Sequence, residues 1–100
     1  MSRTFTSATR VLRALKALKG NALHGLSNTE LAQLTGDSPS NITRAMQTLI
    51  DEGLAVKLDT GRFAPGMALL QIAQAHAEEM ARMQGRINEI NQRVLAGTRY

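Results

Sequence analysis

The chain has 100 residues, of which 43% are hydrophobic, and 12 Lys+Arg stand against 8 Asp+Glu. That length holds one small domain and excludes a Rossmann domain, a TIM barrel and most multi-substrate enzymes. With no Cys there are no disulfides, zinc ribbons or thiol chemistry, which fits a reducing cytoplasm.

The opening MSRTFTSATR has no apolar run, so no secretory signal peptide is expected. No stretch approaches the roughly eighteen consecutive apolar residues that a membrane span needs. The charge is unevenly placed. Residues 1–50 hold six basic groups (Arg3, Arg10, Arg13, Lys16, Lys19, Arg44) and two acidic ones, Glu30 and Asp37, which accounts for the whole net charge of +4. Residues 51–100 balance at six each. A basic half beside a neutral half suggests a polyanionic partner for the first and another task for the second.

In chain order, a first helix is predicted from Ser7 to about Lys19. Val11, Leu12, Leu15 and Leu18 recur on one face at helical spacing, with Arg10, Arg13 and Lys16 on the other side. Gly20 and Asn21 end it. A short extended piece, Leu23 to Leu26, follows. The second helix opens at Ser27-Asn28-Thr29-Glu30, a capping-box pattern, with Leu31 and Leu34 facing inward and Gly36 as its stop.

The third helix starts at Ser38, with Pro39 where a missing N–H costs nothing, and stops at Gly53. Around the helical wheel, Ile42, Ala45, Met46, Leu49 and Ile50 gather on one side. Ser40, Thr43, Arg44, Gln47 and Asp51 lie opposite. Then alternation predicts a half-buried strand, with Leu54, Val56 and Leu58 inward and Ala55 and Lys57 outward. Asp59-Thr60-Gly61 makes a tight turn. Arg62-Phe63-Ala64 returns with Phe63 inward, and Pro65-Gly66 closes the hairpin. One long helix follows from Met67 to about Leu95, roughly 40 Å at 1.5 Å per residue.

This order is mainly α with a small β-hairpin: a winged helix-turn-helix (residues 1–66) followed by a long C-terminal helix (residues 67–100). The outward face of the third helix suits DNA reading. Ser38, Ser40, Asn41 and Thr43 are short and allow close approach to base edges. Arg44 can donate two hydrogen bonds to guanine, and Gln47 can pair with adenine. Free N–H groups at the helix N-terminus favour phosphate. Asp51 and Glu52, which phosphate repels, sit at the far end, so insertion is expected N-terminus first. Around the hairpin, Lys57, Thr60 and Arg62 can hold a flanking phosphate or enter the minor groove. Ser27, Asn28 and Thr29 can bind one phosphate at the second helix's N-terminus, and Arg3 and Arg10 can extend the footprint as an arm.

The stretch from about Thr9 to Leu70 resembles the N-terminal winged-helix domain of IclR-type bacterial transcription regulators. The resemblance is carried by VLRALKAL, LSNTELAQLTG, SNITRAMQTLIDEGLAV and DTGRFAPGMALL. Ser40 and Asn41, Arg44, Leu49-Ile50, Glu52-Gly53, Gly61-Arg62-Phe63 and Gly66 stand where the family pattern has its Ser/Thr-rich helix start, Arg, leucine-rich run, Glu-Gly, Gly-Arg-Tyr/Phe and helix-opening Gly. It implies a dimer that inserts the third helix into adjacent major grooves of a two-fold site. Family members carry a larger C-terminal effector-binding domain after the linker helix; here the sequence stops at Tyr100, and no small-molecule effector is evident.

On the long helix Met80, Met83, Ile87, Ile90 and Val94 are spaced 3-4-3-4, and Ala73 and His76 extend the seam backwards. Such a seam predicts self-association. Flanking positions pair Glu79 with Gln84 and Arg86 with Asn91, so no ion pair fixes partner direction. Gly85 weakens the helix by roughly 1 kcal/mol relative to Ala. The two histidines, His24 and His76, begin no metal-ligand spacing, and there is no Gly-rich phosphate loop and no G-x-S-x-G. No catalytic set, metal or cofactor is expected. The expectation is a cytoplasmic, DNA-associated regulator of bacterial or phage type, acting as a repressor on double-stranded DNA. A winged-helix protein-interaction module, or a replication, packaging or transposition accessory, is the alternative.

Overall fold

A computed structural model of the chain describes residues 6–97, and Arg3 lies outside them. The elements are α1 (Thr6–Ala17), α2 (Asn28–Thr35), α3 (Pro39–Asp51), β1 (Ala55–Lys57), β2 (Phe63–Pro65) and α4 (Met67–Gly97). The strands form one antiparallel hairpin. The winged helix-turn-helix order and the long last helix follow the expectation from sequence. The chain divides between Leu70 and Gln71 into two compact units.

In the first unit α1, α2 and β1 all pack against α3. Its apolar stripe, Ile42, Ala45, Met46 and Leu49, is buried, and Ile50 packs half-buried against the same cluster. A stripe of this width fixes the rotation of a helix, because turning it would expose about 1.5–3 kcal/mol of apolar surface per large side chain. Both helix starts are capped as predicted. Ser27 accepts from the Glu30 N–H (3.1 Å) while the Glu30 carboxylate accepts from the Ser27 N–H (2.9 Å). Ser38 accepts from the Asn41 N–H, with Pro39 at the first turn of α3. Gly36 closes α2 in the left-handed conformation, φ +74°.

Four details differ from expectation. α1 ends at Ala17, and Leu18, Lys19 and Asn21 continue it through tighter bonds to residues three back. Its core contacts are Ala14 and Leu18, both fully buried, whereas Leu12 is exposed. Ala14 lies in the buried cluster with the α3 stripe, and Leu12, two positions away on the helix, faces away from it. In α2 the buried pair is Leu31 and Ala32, and Leu34 is exposed for the same reason. Between α1 and α2 there is no strand: Leu23 is exposed, and only Leu26 pairs, exchanging two 2.8 Å hydrogen bonds with Phe63.

The fourth difference is the face of β1. Ala55 is buried and Val56 is exposed, the reverse of the alternation reading. The register explains it. Lys57 lies opposite Phe63 and Ala55 opposite Pro65, so Ala55, Lys57 and Phe63 share one face. The large Phe63 ring enters the core, and the strand's face follows that ring. Leu54 still packs half-buried on the core from the strand's start.

Close backbone approach sets two glycine positions. A Cβ on Gly66 would collide with the Gly53 carbonyl oxygen, where the hairpin returns to the end of α3. Gly25 has φ +70°, and a Cβ there would collide with the Phe63 carbonyl oxygen. In the second unit α4 continues to Gly97, and every residue from 71 to 97 is exposed.

Gly36 is also left-handed, yet its Cβ position faces open space. Gly36→Ala should therefore lose about 1–2 kcal/mol, the left-handed cost alone. Gly25→Ala should lose clearly more, because the backbone must also shift. Urea unfolding of both variants checks the ordering.

Candidate nucleic-acid interface

The rotation of α3 decides which of its side chains meet solvent. Ser40, Thr43, Arg44 and Gln47 are exposed, and Asn41 is half-buried at the edge of the strip. These side chains do not hang free. Arg44 donates to the Asn41 side-chain oxygen (3.2 Å), and Gln47 donates to Asp51 (2.8 Å). The Thr43 hydroxyl lies 3.0 Å from the Pro39 carbonyl and 3.3 Å from the Asn28 side-chain oxygen, and its one proton serves one of them at a time. Ser40 and Ser38 hydroxyls lie 3.3 Å apart. The strip is thus laid along the helix in an ordered pattern, with the Arg44 and Gln47 donors outermost and exchangeable to a ligand.

Asp37, immediately before the Ser38 cap, organises the leading end of α3. One carboxylate oxygen accepts from the Ser38 N–H (2.9 Å) and from the Asn41 side-chain amide (2.8 Å), while the other faces Arg10 at 3.4 Å. The Asn41 hydrogen bond, then the Ser38 N–H, then the Arg10 and Arg13 charges hold its carboxyl below the ordinary 3.8, with desolvation opposing. This differs from the expected open anion site. The Ser38 and Asn41 N–H groups are taken by Asp37 and by the Ser38 hydroxyl, which leaves fewer backbone donors for phosphate at this end. Asp37 carries no signal of this in a period reading, because its partners lie one, four and twenty-seven residues away.

At the start of α2, Ser27 is used by the capping box. Asn28 ties the two helix starts together, donating to the Pro39 carbonyl at 3.0 Å. Thr29 is exposed beside them.

On the hairpin, Lys57 is exposed, with its ammonium 6.0 Å from the Phe63 ring centroid, and Thr60 sits exposed at the tip. Arg62 is placed differently from a free wing cation. Its guanidinium donates to the His24 carbonyl (3.0 Å), the Gly25 carbonyl (3.1 Å) and the Glu30 carboxylate (2.7 Å). Arg62 is therefore a brace between the hairpin and the start of α2. The same Glu30 is held below its ordinary 4.5, chiefly by the Ser27 N–H and hydroxyl and then by the Arg62 charge.

On α4, Ala73, His76, Met80, Met83, Ile87, Ile90 and Val94 are all exposed. They lie along one seam at helical spacing. The ion pair within this helix, Glu89–Arg93 at 2.8 Å, is a surface i,i+4 pair and adds little. Among the described residues no group of acidic, His or Cys side chains is arranged to hold a metal ion, and no helix is long and apolar enough to cross a membrane.

Compared with known families, residues 7–59 match the IclR helix-turn-helix domain. The match spans α1 through β1 and reaches the hairpin turn. No curated protein shows significant similarity to the chain.

Since the folded Asp37 carboxyl titrates below its unfolded value, it stabilises the fold above about pH 3.8, and that stabilisation is lost as pH falls through the folded value. Asp37→Asn should lower the urea midpoint at pH 6–7 and flatten its decline toward pH 2. A decline as steep as wild type's would assign the acid sensitivity elsewhere.

Proposed function

The chain belongs to the IclR helix-turn-helix domain family, a family of DNA-binding transcription regulators, and from that premise we propose that it reads double-stranded DNA with α3. The observation that carries this is the exposed strip of Ser40, Thr43, Arg44 and Gln47 on a helix whose opposite face is locked in the core. Ser38 and Asn41 complete its leading end. Insertion is N-terminus first, since Asp51 and Glu52 stand at the trailing end and Asp37, at the leading one, is paired with Arg10. Arg44 leaves Asn41 for a guanine edge, and Gln47 leaves Asp51 for an adenine. Ser27, Asn28 and Thr29 lie against one phosphate beside α3, and Lys57 and Thr60 against another at the hairpin. Arg62 contributes by holding the hairpin in place.

The proposed unit is a homodimer joined through α4, along Ala73, His76, Met80, Met83, Ile87, Ile90 and Val94. A row of apolar side chains exposed along a helix of 31 residues supports it, since a second copy removes that row from water. Two copies present two reading helices, which calls for a two-fold site; occupying such a site near a promoter is how the chain would repress.

Arg44→Ala should cost about 1–3 kcal/mol in DNA affinity and relax preference at one base position, whereas Lys57→Ala should weaken all sequences evenly. Selection of bound duplexes from a random pool, followed by gel shifts with both variants, checks this. No retardation of any duplex at low salt would reject DNA binding in favour of a protein-interaction module.

Ile87→Glu should convert a dimer to a monomer, measured by sedimentation. A wild-type chain that sediments as a monomer would remove the dimer.

A further inference from the structure

The two side-chain amides on the reading side of α3 are held differently. Gln47 donates to Asp51 (2.8 Å) in an exposed bond, so its amide is free to exchange toward a ligand. Asn41, the third residue of α3, serves two partners at once. Its side-chain nitrogen donates to Asp37 (2.8 Å) in a part-buried bond, while its oxygen accepts from Arg44 (3.2 Å) on the exposed side. The Asp37 side chain is only 15% exposed, and its carboxylate also accepts from the Ser38 N–H and faces Arg10 at 3.4 Å.

The chemistry of these partners leaves the Asn41 amide one orientation. An ionised carboxylate only accepts and a guanidinium only donates, so the nitrogen faces Asp37 and the oxygen faces Arg44. The Asp37 carboxyl is ionised at neutral pH, since the Asn41 hydrogen bond and then the Ser38 N–H hold it below its ordinary 3.8.

When Arg44 leaves for a guanine, the Asn41 oxygen loses its donor and is left as a bare acceptor at the leading end of the reading strip. An unconstrained asparagine pairs with adenine through both ends of its amide, accepting from the N6 amino group and donating to N7. With its nitrogen held by Asp37, Asn41 has only the accepting half, which is the half that a carboxylate uses toward the N4 amino group of cytosine. Against adenine the fixed oxygen leaves N7 without a donor. Against thymine or guanine it meets a carbonyl oxygen. We propose that Asp37 makes Asn41 an acceptor-only reader, which selects a cytosine at the base pair next to the guanine taken by Arg44. This rests on the reading of α3 given above and adds a second base to it. Arg44 is then the contacting residue at one position, Asn41 at the other, and Asp37 the positioning residue.

The test uses the full chain and selection of bound duplexes from a random pool, with a melting curve for each variant. Arg44→Ala identifies the guanine position by losing its preference there. Wild type should select cytosine at the neighbouring position. Asn41→Ala should lose that cytosine preference, about 3- to 10-fold for one hydrogen bond, and keep the guanine. Asp37→Ala frees the amide nitrogen and should move the preference from cytosine to adenine. Adenine selected there by wild type, cytosine kept by either of the last two variants, or no preference that depends on Asn41 would each overturn the proposal while the α3 reading stands. If Asp37→Ala does not fold, the base that wild type selects through Asn41 decides: cytosine supports the held amide and adenine rejects it. If wild type retards no duplex, or no base position depends on Arg44, both readings fail together.

Discussion

The apolar stripe of α3 is the constraint on which the rest of this structure depends. Ile42, Ala45, Met46 and Leu49 are buried together, and α1, α2 and β1 are packed around them. Rotating α3 by even one residue position would pull part of this stripe into water. The polar strip opposite is thereby fixed in direction by the core, and its own hydrogen bonds only order the side chains along it. Ser40, Thr43, Arg44 and Gln47 are surface residues because four other side chains are not. A reading surface built this way is held by the core and leaves its own donors exchangeable.

Around that helix a few polar contacts between distant parts of the chain set the finer geometry. Asp37 joins Arg10 of α1 to Ser38 and Asn41, and Asn41 in turn receives Arg44. Asn28 spans from α2 to the first turn of α3. Arg62 spans from the hairpin to two carbonyls and to Glu30. Each is partly exposed and worth little alone. Their effect is positional, because they join the leading end of α3 and the hairpin to the body of the first unit. The Arg62 brace also explains why an arginine stands just after the Asp59-Thr60-Gly61 turn: the guanidinium fork reaches three acceptors at once, which a lysine ammonium on its single point cannot arrange in the same plane.

Much of this was legible from residue order. The caps at Ser27 and Ser38 were readable because capping is local, within three residues. The α3 stripe was readable because its period is regular over thirteen residues. The faces of α1, α2 and β1 were read less well. Leu12, Leu34 and Val56 are larger and more apolar than Ala14, Ala32 and Ala55, yet the alanines are buried. Hydropathy ranks the size of an apolar side chain, while close packing against α3 and beside Phe63 demands a small one.

The sequence by itself determined the succession of elements, the polar strip of α3, the turn glycines and the concentration of positive charge in the first half. These follow from local rules: period, capping and backbone freedom at each residue. Only the tertiary structure decided that Arg62 turns inward, that Asp37 fills the leading end of α3, and that Ala55 shares the face of Phe63. Those outcomes join residues up to thirty-eight positions apart. No local pattern encodes such a meeting, because it exists only once burial of the core has brought the segments together.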